Sequence, residues 1–383
     1  MIFYDFEVFK EDWLAVFIDV TKKKEYVIIN NPDELKALYE ANSKDIWVGY
    51  NNRHYDQYIM KGILLGMNPK RINDWIIVEK KEGWQFSSAF NKVPMINYDV
   101  MPNPPVGLKT LEGFLGSNIK ETDVDFRINR KLTKEEIEMT VFYCRHDVEE
   151  TIKVFLEKID EFNAMHGIIQ AFPDIVNLSD IGDSEARITA KVLGCSRRSF
   201  EDEFDFYFLP CLQLKKYKYV QDWFEQKRQE ALSMDLAHMD KYSKRTWYKE
   251  QGLETVVAGI PHSFGFGGVH GATATPIHKT GQLLHVDVNN YYPSMLIAWG
   301  LVTRAATNDN YPLVYNTRKA MKEKQIAAKN AGNKKEVKRW KKAQLPYKKM
   351  LNALSGAMKD ETNAAYDPRN NNCMCINGQL MLL

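Results

Sequence analysis

Several things are scarce in this chain. Five cysteines, Cys144, Cys195, Cys211, Cys373 and Cys375, are scattered and odd in number, which argues against a disulfide framework. Cys373-Met-Cys375 is too small a set for a zinc site. This usage predicts a reducing, cytoplasmic setting. No apolar run approaches the ~20 residues that span a bilayer, and Ile2-Phe3-Tyr4-Asp5 reads as a strand with no signal peptide before it, so no membrane partner is expected. Net charge is nearly absent too, at +2 over 383 residues. That balance hides a segregation: Arg318 to Lys349 holds 13 Lys/Arg against only Glu323 and Glu336, a local +11 that leaves −9 elsewhere. A concentrated basic element on an acidic body suits a polyanion, and equally suits a solvated Lys-rich helical hairpin.

The hydrophobic (44%) and charged (27%) fractions are those of a soluble globular protein, rich in aromatics with 19 Tyr, 19 Phe and 8 Trp. The length favours two domains. Alternating segments Ile2–Val8, Trp13–Val20 and Tyr26–Ile29 read as a meander. Pro32-Asp33-Glu34-Leu35 opens a helix, Ile46–Tyr50 is a strand, and a helix runs from about Tyr55 to Leu65, an α/β arrangement.

Carboxylates recur at the element ends. Asp5 and Glu7 lie two apart on the first strand, so both project from one face. Two like charges there call for solvent or for a divalent cation. Gly49-Tyr50-Asn51-Asn52-Arg53-His54-Tyr55-Asp56 brings Asp56 to a helix start, as a cap or as a third carboxylate. Thr133-Lys134-Glu135-Glu136 is a capping box for a helix running to about Ala164, on which Tyr143 and Asp147 stack one turn apart.

Together these form an ordered set: Asp5-x-Glu7, Asn52-x-x-Tyr55-Asp56, Tyr143-x-x-x-Asp147. The set resembles the three motifs of the proofreading 3′–5′ exonucleases, the DEDD ribonuclease-H-like domain in its Tyr-containing form. The resemblance implies a phosphodiester hydrolase using two Mg²⁺ or Mn²⁺ ions per active site. Asp5, Glu7 and Asp147 would ligate one ion. Asp5 would bridge to the second, with Asp56 near it. Tyr143 would orient the attacking water, and Asn52 and Tyr55 would contact the single-stranded DNA 3′ end. Lys109, in Val106-Gly107-Leu108-Lys109-Thr110-Leu111, is the candidate for touching the scissile phosphate, although the run also reads as a helix start with a surface Lys.

The second half opens on boundary signals at Pro173, Asn177, Asp180 and Gly182. Residues 200–255 read as connecting structure with a helix from about Tyr219 to Met234. Ser263-Phe264-Gly265-Phe266-Gly267-Gly268 resembles the Tyr/Phe-x-Gly-Gly region of DNA polymerases, so Phe264, Phe266, Gly267 and Gly268 are expected to contact a template strand. His262, His270, His278 and His285 recur evenly, as a zinc set or as faces of a hairpin. Leu283, Leu284, Val286 and Val288 read as a buried strand carrying Asp287, either a turn-capping Asp or a cation ligand.

Asp287-x-x-Asn290-Tyr291-Tyr292-Pro293-Ser294 resembles motif A of family B DNA polymerases, with Asn290 and Tyr291 departing from the commonest residues. Asp287 would ligate both catalytic metals, joined by the Val288 carbonyl, and Tyr292 would exclude a ribose 2′-hydroxyl. Asn316 to about Lys329, the turn Ala331-Gly332-Asn333 and a helix from about Lys334, interrupted or restarted at Pro346, form a helical hairpin like that family's fingers. Lys348-x-x-x-Asn352-Ala353-Leu354-Ser355-Gly356 resembles motif B, with Ala353 and Ser355 departing from its Ser and Tyr. Arg318, Lys322 and Lys348 would grip a dNTP triphosphate, and Asn352 would place the nucleotide.

The expected fold class is thus α/β: a ribonuclease-H-like exonuclease domain followed by a partial polymerase palm with an α-helical fingers hairpin. The expected layout is exonuclease at 1–175, connecting region and palm at 176–305, fingers at 306–360, and the start of further palm at 361–383. The expected partners are DNA, as a single-stranded 3′ end and a primer-template, and dNTP. The family's motif C and thumb have no counterpart among these residues. The resemblance therefore predicts a phage-type protein, working in host cytoplasm, that trims 3′ ends but does not extend a primer alone, either truncated or completed by a second polypeptide. A non-catalytic DNA-binding fragment and a free-standing exonuclease are the competing expectations.

Overall fold

A computed structural model describes residues 1–117 and 124–383. The chain divides into two compact units, Met1–Asp183 and Ser184–Leu383.

The first unit is mixed α/β. Strands β1 (Ile2–Val8), β2 (Trp13–Asp19) and β3 (Lys24–Ile29) form the meander; β4 (Ile46–Gly49) and β5 (Ile96–Asp99) complete one sheet in the order β3-β2-β1-β4-β5. The meander pairs are antiparallel, while β4 runs parallel to β1 and β5 parallel to β4. Helices α1 (Pro32–Ala41), α2 (Asp56–Leu64) and α3 (Pro69–Asn73) lie between the meander and β5 in sequence, with α1 connecting β3 to β4; α4 (Leu108–Leu115), α5 (Lys134–Glu157) and α6 (Ile159–Ala171) follow β5.

Period-2 alternation makes β1 two-faced. Ile2, Tyr4, Phe6 and Val8 enter an aromatic core with Phe17 and Trp47; Tyr4 stacks on Phe17 at 6.1 Å and meets Trp47 edge-on at 5.9 Å. Phe3 points the other way and meets Phe155 of α5 at 5.3 Å. Asp5 and Glu7 share that second face by alternation. The α5 start is the expected capping box: Glu136 N donates to Thr133 Oγ1 at 3.2 Å, and Thr133 N to Glu136 Oε2 at 2.7 Å, worth about 1 kcal/mol. The helix breaks at Lys158 rather than running to Ala164.

The second unit is mostly helical. Helices α7 (Glu185–Val192), α8 (Lys218–Ser233) and α9 (Lys241–Glu250) precede an antiparallel sheet of β6 (Leu253–Val257), β7 (Ile260–Phe264) and β8 (Val269–Gly271). The rest are α10 (Tyr291–Ala298), α11 (Asn310–Asn330), α12 (Lys334–Ala343), α13 (Leu345–Lys359) and α14 (Pro368–Leu380). The basic hairpin thus forms as expected, and Pro346 sits in the first turn of α13, where its missing N–H costs nothing. Residues 200–255 do more than connect. Phe204 packs on Trp247 at 5.5 Å, and Trp223, Phe224, Trp247 and Tyr248 ring Phe266.

One expectation fails here. Residues 283–288 form no strand. Leu283, Leu284 and Val286 are 94%, 87% and 77% exposed, because no described strand lies alongside to accept their backbone, and a lone strand cannot satisfy its own hydrogen bonds. Helix α14 is buried along nearly its whole length, with its amides turned to the backbone of irregular segments. Asn372 Nδ2 donates to Glu203 O at 2.9 Å and Asn377 Nδ2 to Tyr207 O at 2.8 Å; Asn377 Oδ1 accepts from Leu209 N at 2.8 Å, and Gln379 Nε2 donates to Gly265 O at 2.7 Å. Among the described residues no helix is long and apolar enough to cross a membrane.

Candidate functional site

Alternation along β1 and the docking of α5 against β1 and β2 create the first site. Asp5 and Glu7 from β1 and Asp147 from α5 present carboxylate oxygens that all lie within 4.8 Å of one another. Cys144, one turn before Val148 on α5, places its Sγ 3.4 Å from the Asp5 carbonyl oxygen, tying helix to strand. Asp56 opens α2, is 3% exposed, and accepts a hydrogen bond from Phe6 N at 3.1 Å. It is thereby held against the backbone of β1 beside Asp5.

The electrostatics are those of an under-neutralised acidic pocket. Burial, then the charge of Asp147, pushes the Asp5 carboxyl up to about 7. Glu7 is pushed up by burial and then by Asp5, and Asp56 by burial and then by Asp5. Asp147 is raised by burial, against the pull of its bond to Lys109. Buried like charges of this kind ionise together only beside a cation, and an all-oxygen set suits a hard divalent ion. The residues present therefore fit Mg²⁺ or Mn²⁺.

Lys109 is not a surface lysine. Its Nζ bonds Asp147 Oδ1 and lies 3.2 Å from Glu112 Oε1. Burial opposes its charge, but the bond to Asp147 outweighs it and raises its pKa. Tyr143 is half-buried one turn before Asp147; its ring meets Phe142 at 5.6 Å, and among the described residues its hydroxyl has no hydrogen-bond partner. Tyr55 OH donates to Asn73 Oδ1 at 2.7 Å.

Asn52 does not face outward. It is fully buried, donating from Nδ2 to Asn97 Oδ1 at 2.9 Å and to Tyr98 O at 3.3 Å. It braces β5 against the β4 end, so its amide has no free edge for DNA.

Sequence reasoning missed two neighbours. Glu112 of α4 and His146 of α5 are 0% and 9% exposed, and with Asp147 they form a second group whose ligand atoms lie within 4.8 Å of one another. The i,i+3 spacing of Lys109 and Glu112 was the available signal, and it reads by default as a surface ion pair.

The second site lies wholly within Ser184–Leu383. Asp287, Tyr292, Arg318, Lys322, Lys348 and Asn352 line one cleft of about 520 Å³. Asn290 adopts φ 54°, ψ 44°, a left-handed conformation that Asn tolerates, and this turns the extended chain into α10. Tyr291 OH donates to Gly378 O at 2.6 Å. A Cβ on Gly378 would stand 3.0 Å from the Tyr292 ring, so glycine there lets the ring lie against α14. Ser294 and Tyr315 hydroxyls, 3.1 Å apart, join α10 to α11.

Arg318 is the unusual member. It is 9% exposed and among the described residues its Nε has no hydrogen-bond partner; burial lowers its pKa. Among the described residues neither it nor Lys322 nor Lys348 has a carboxylate partner. A buried guanidinium left unpaired is costly, and an anion in the cleft would relieve it. Val288 is half-exposed and does not line this cleft.

The glycine-rich stretch corrects an expectation. Phe264 and Phe266 are 1% and 6% exposed, and Phe266 is enclosed by the aromatic cluster, so neither ring is left free for a base to stack on. Phe264 and Phe266 nevertheless line, together with Gly267 and Gly268, a cleft bordered by Tyr248, His270 and Lys359. None of the four evenly spaced histidines belongs to a metal-competent group among the described residues. A comparison with models of known protein families finds no match, and no curated protein compared with the chain matches it.

Proposed function

We propose that the chain is a DNA polymerase of family B with a proofreading 3′–5′ exonuclease, and that Met1–Asp183 carries the exonuclease as a ribonuclease-H-like domain. The observation that carries this reading is the convergence of Asp147, far along the chain, on the Asp5–Glu7 pair, a grouping that the motif order alone had suggested. The meander continued by two parallel strands, with the carboxylates on its first strand, supports it further.

Asp5, Glu7 and Asp147 would hold Mg²⁺ or Mn²⁺, with Asp56 beside them. Such ions, when bound, supply Lewis-acid stabilisation of the attacking and leaving oxygens of a phosphodiester. The chain's own residues do the rest. The unengaged Tyr143 hydroxyl orients water for attack. The Lys109 ammonium sits where it can meet negative charge growing on the phosphate. The carboxylates are partly buried, which weakens solvent screening and strengthens the charge interactions there.

In the second unit the cleft at Asp287 is read as a dNTP site. Arg318, Lys322 and Lys348 offer three unpaired cations to a triphosphate. Tyr292, resting against Gly378, offers a flat wall to the sugar, and Asn352 an amide to the nucleotide.

The test is direct. A 5′-labelled single-stranded oligonucleotide incubated with the chain and Mn²⁺ should give a ladder of shortened products that disappears in Asp5→Ala. Retained DNA binding with no ladder from the unaltered chain would refute the enzyme and leave a binding module.

A further inference from the structure

Lys109 and Asp147 pose a conflict. The Lys109 ammonium bonds Asp147 Oδ1, a carboxylate that the proposed metal centre also needs. One carboxylate in a crowded pocket does not serve both cations at full strength.

Glu112 offers a way out. It lies one helical turn from Lys109, its side chain is fully buried, and its Oε1 is 3.2 Å from Lys109 Nζ. Apart from that contact, neither Glu112 oxygen has a hydrogen-bond partner among the described residues. His146 Nε2, with no hydrogen-bond partner among the described residues, stands 3.5 Å from Glu112 Oε2. A fully buried carboxylate whose one close ammonium is shared with a second carboxylate is only partly satisfied as it stands. Glu112, His146 and Asp147 alone resemble a metal site of mixed donors, but the ammonium already standing among them meets their demand for charge.

We infer that Glu112 is the alternative seat for Lys109. With Asp147 free, the ammonium closes on it and neutralises the empty pocket. When a divalent ion takes Asp147, Lys109 transfers to Glu112, which His146 holds in place. Lys109 is then an internal substitute for the metal, and Glu112 a positioning residue that sets how readily the ion displaces it. This inference rests on the metal-centre reading above.

The test is Mn²⁺ affinity of the full chain, measured by calorimetry and by the electron paramagnetic resonance of free Mn²⁺. Lys109→Met should bind Mn²⁺ about tenfold more tightly, and Glu112→Gln about tenfold more weakly, as expected when one charge-assisted bond is removed from a two-seat competition. In the Lys109→Met background, Glu112→Gln should change nothing. An equal loss in both backgrounds would show that Glu112 acts only through its charge and would overturn the inference. So would unchanged or weaker binding by Lys109→Met, a variant that decides the matter even if Glu112→Gln does not fold. Tight Zn²⁺ binding lost in Glu112→Gln and His146→Gln would overturn it in favour of a metal at those residues. If the unaltered chain binds no Mn²⁺, the metal centre itself falls and this inference with it. Mn²⁺ binding with the wrong pattern in the variants removes this inference alone.

Discussion

Replacing Asp5 by its neutral isostere should make the metal-free protein more stable while abolishing its metal chemistry. The Asp5 carboxyl is moved from an ordinary 3.8 up to about 7 by burial and by the charge of Asp147. A folded state that holds this proton more tightly than the unfolded chain loses stability as pH rises from about 4 to about 7 and stays at the lower level above that. At about 1.4 kcal/mol per tenfold change in proton affinity, the full displacement corresponds to about 4 kcal/mol. Glu7 and Asp56 share the pocket's protons, so about 2–4 kcal/mol is the expected gain for Asp5→Asn at pH 8 in chelator. At pH 4, close to the ordinary value of the unfolded carboxyl, the gain should shrink towards zero. Urea denaturation of both proteins, chelator-treated, at pH 4, 6 and 8 measures it. Adding Mn²⁺ at pH 8 should reverse the order by stabilising only the unaltered chain. If Asp5→Asn is the less stable protein at pH 8 without metal, the pocket is not under-neutralised and the electrostatic reasoning is wrong.

Arg318→Met should weaken dNTP binding about tenfold or more, read by quenching of intrinsic fluorescence, and leave thermal stability unchanged or higher, since an unpaired buried guanidinium is replaced by an apolar chain of similar length. Asn52→Ala should destabilise the first unit by about 1–3 kcal/mol through orphaned groups on β5, with no separate loss of DNA affinity when fully folded protein is assayed. Phe266→Ala should cost about 3–5 kcal/mol in denaturant titration; a DNA-binding defect with unaltered stability would show that the ring faces the nucleic acid after all.

Much of the first site was legible because it depends on short-range geometry. The two-residue spacing of Asp5 and Glu7 and the sharp capping box before α5 are local rules, and the fold honours both. Where burial is decided at long range, the reading failed. Asn52 and Phe266 look like surface groups until the elements that cover them, β5 and the aromatic cluster, are in place. Strand β5 itself escaped notice because Asn97, Tyr98 and Asp99 follow no alternation and are all half-buried. The stretch Leu283 to Val288 shows the reverse error, a strand-like pattern with no strand beside it. Helix α14 was not legible as a helix in the sequence, although Asp367 caps it by accepting from Asn370 N and Pro368 opens it. Glu112 is invisible to spacing rules, since nothing in Lys-Thr-Leu-Glu announces that the fourth residue is sealed from solvent.

Helix α14 carries a consequence for how this protein tolerates change. In an ordinary core, exchanging one apolar side chain for another of similar volume is the safest substitution available. Along α14 the ranking inverts. Asn372, Asn377 and Gln379 finish the hydrogen bonding of chain segments 203–209 and 265, which have no sheet or helix of their own to do it. Leucine at any of these positions would match the surroundings in oiliness yet strand a backbone group with no water in reach. A saturation-mutagenesis map of the second unit should therefore show a helix whose permitted alphabet is polar on its most hidden residues.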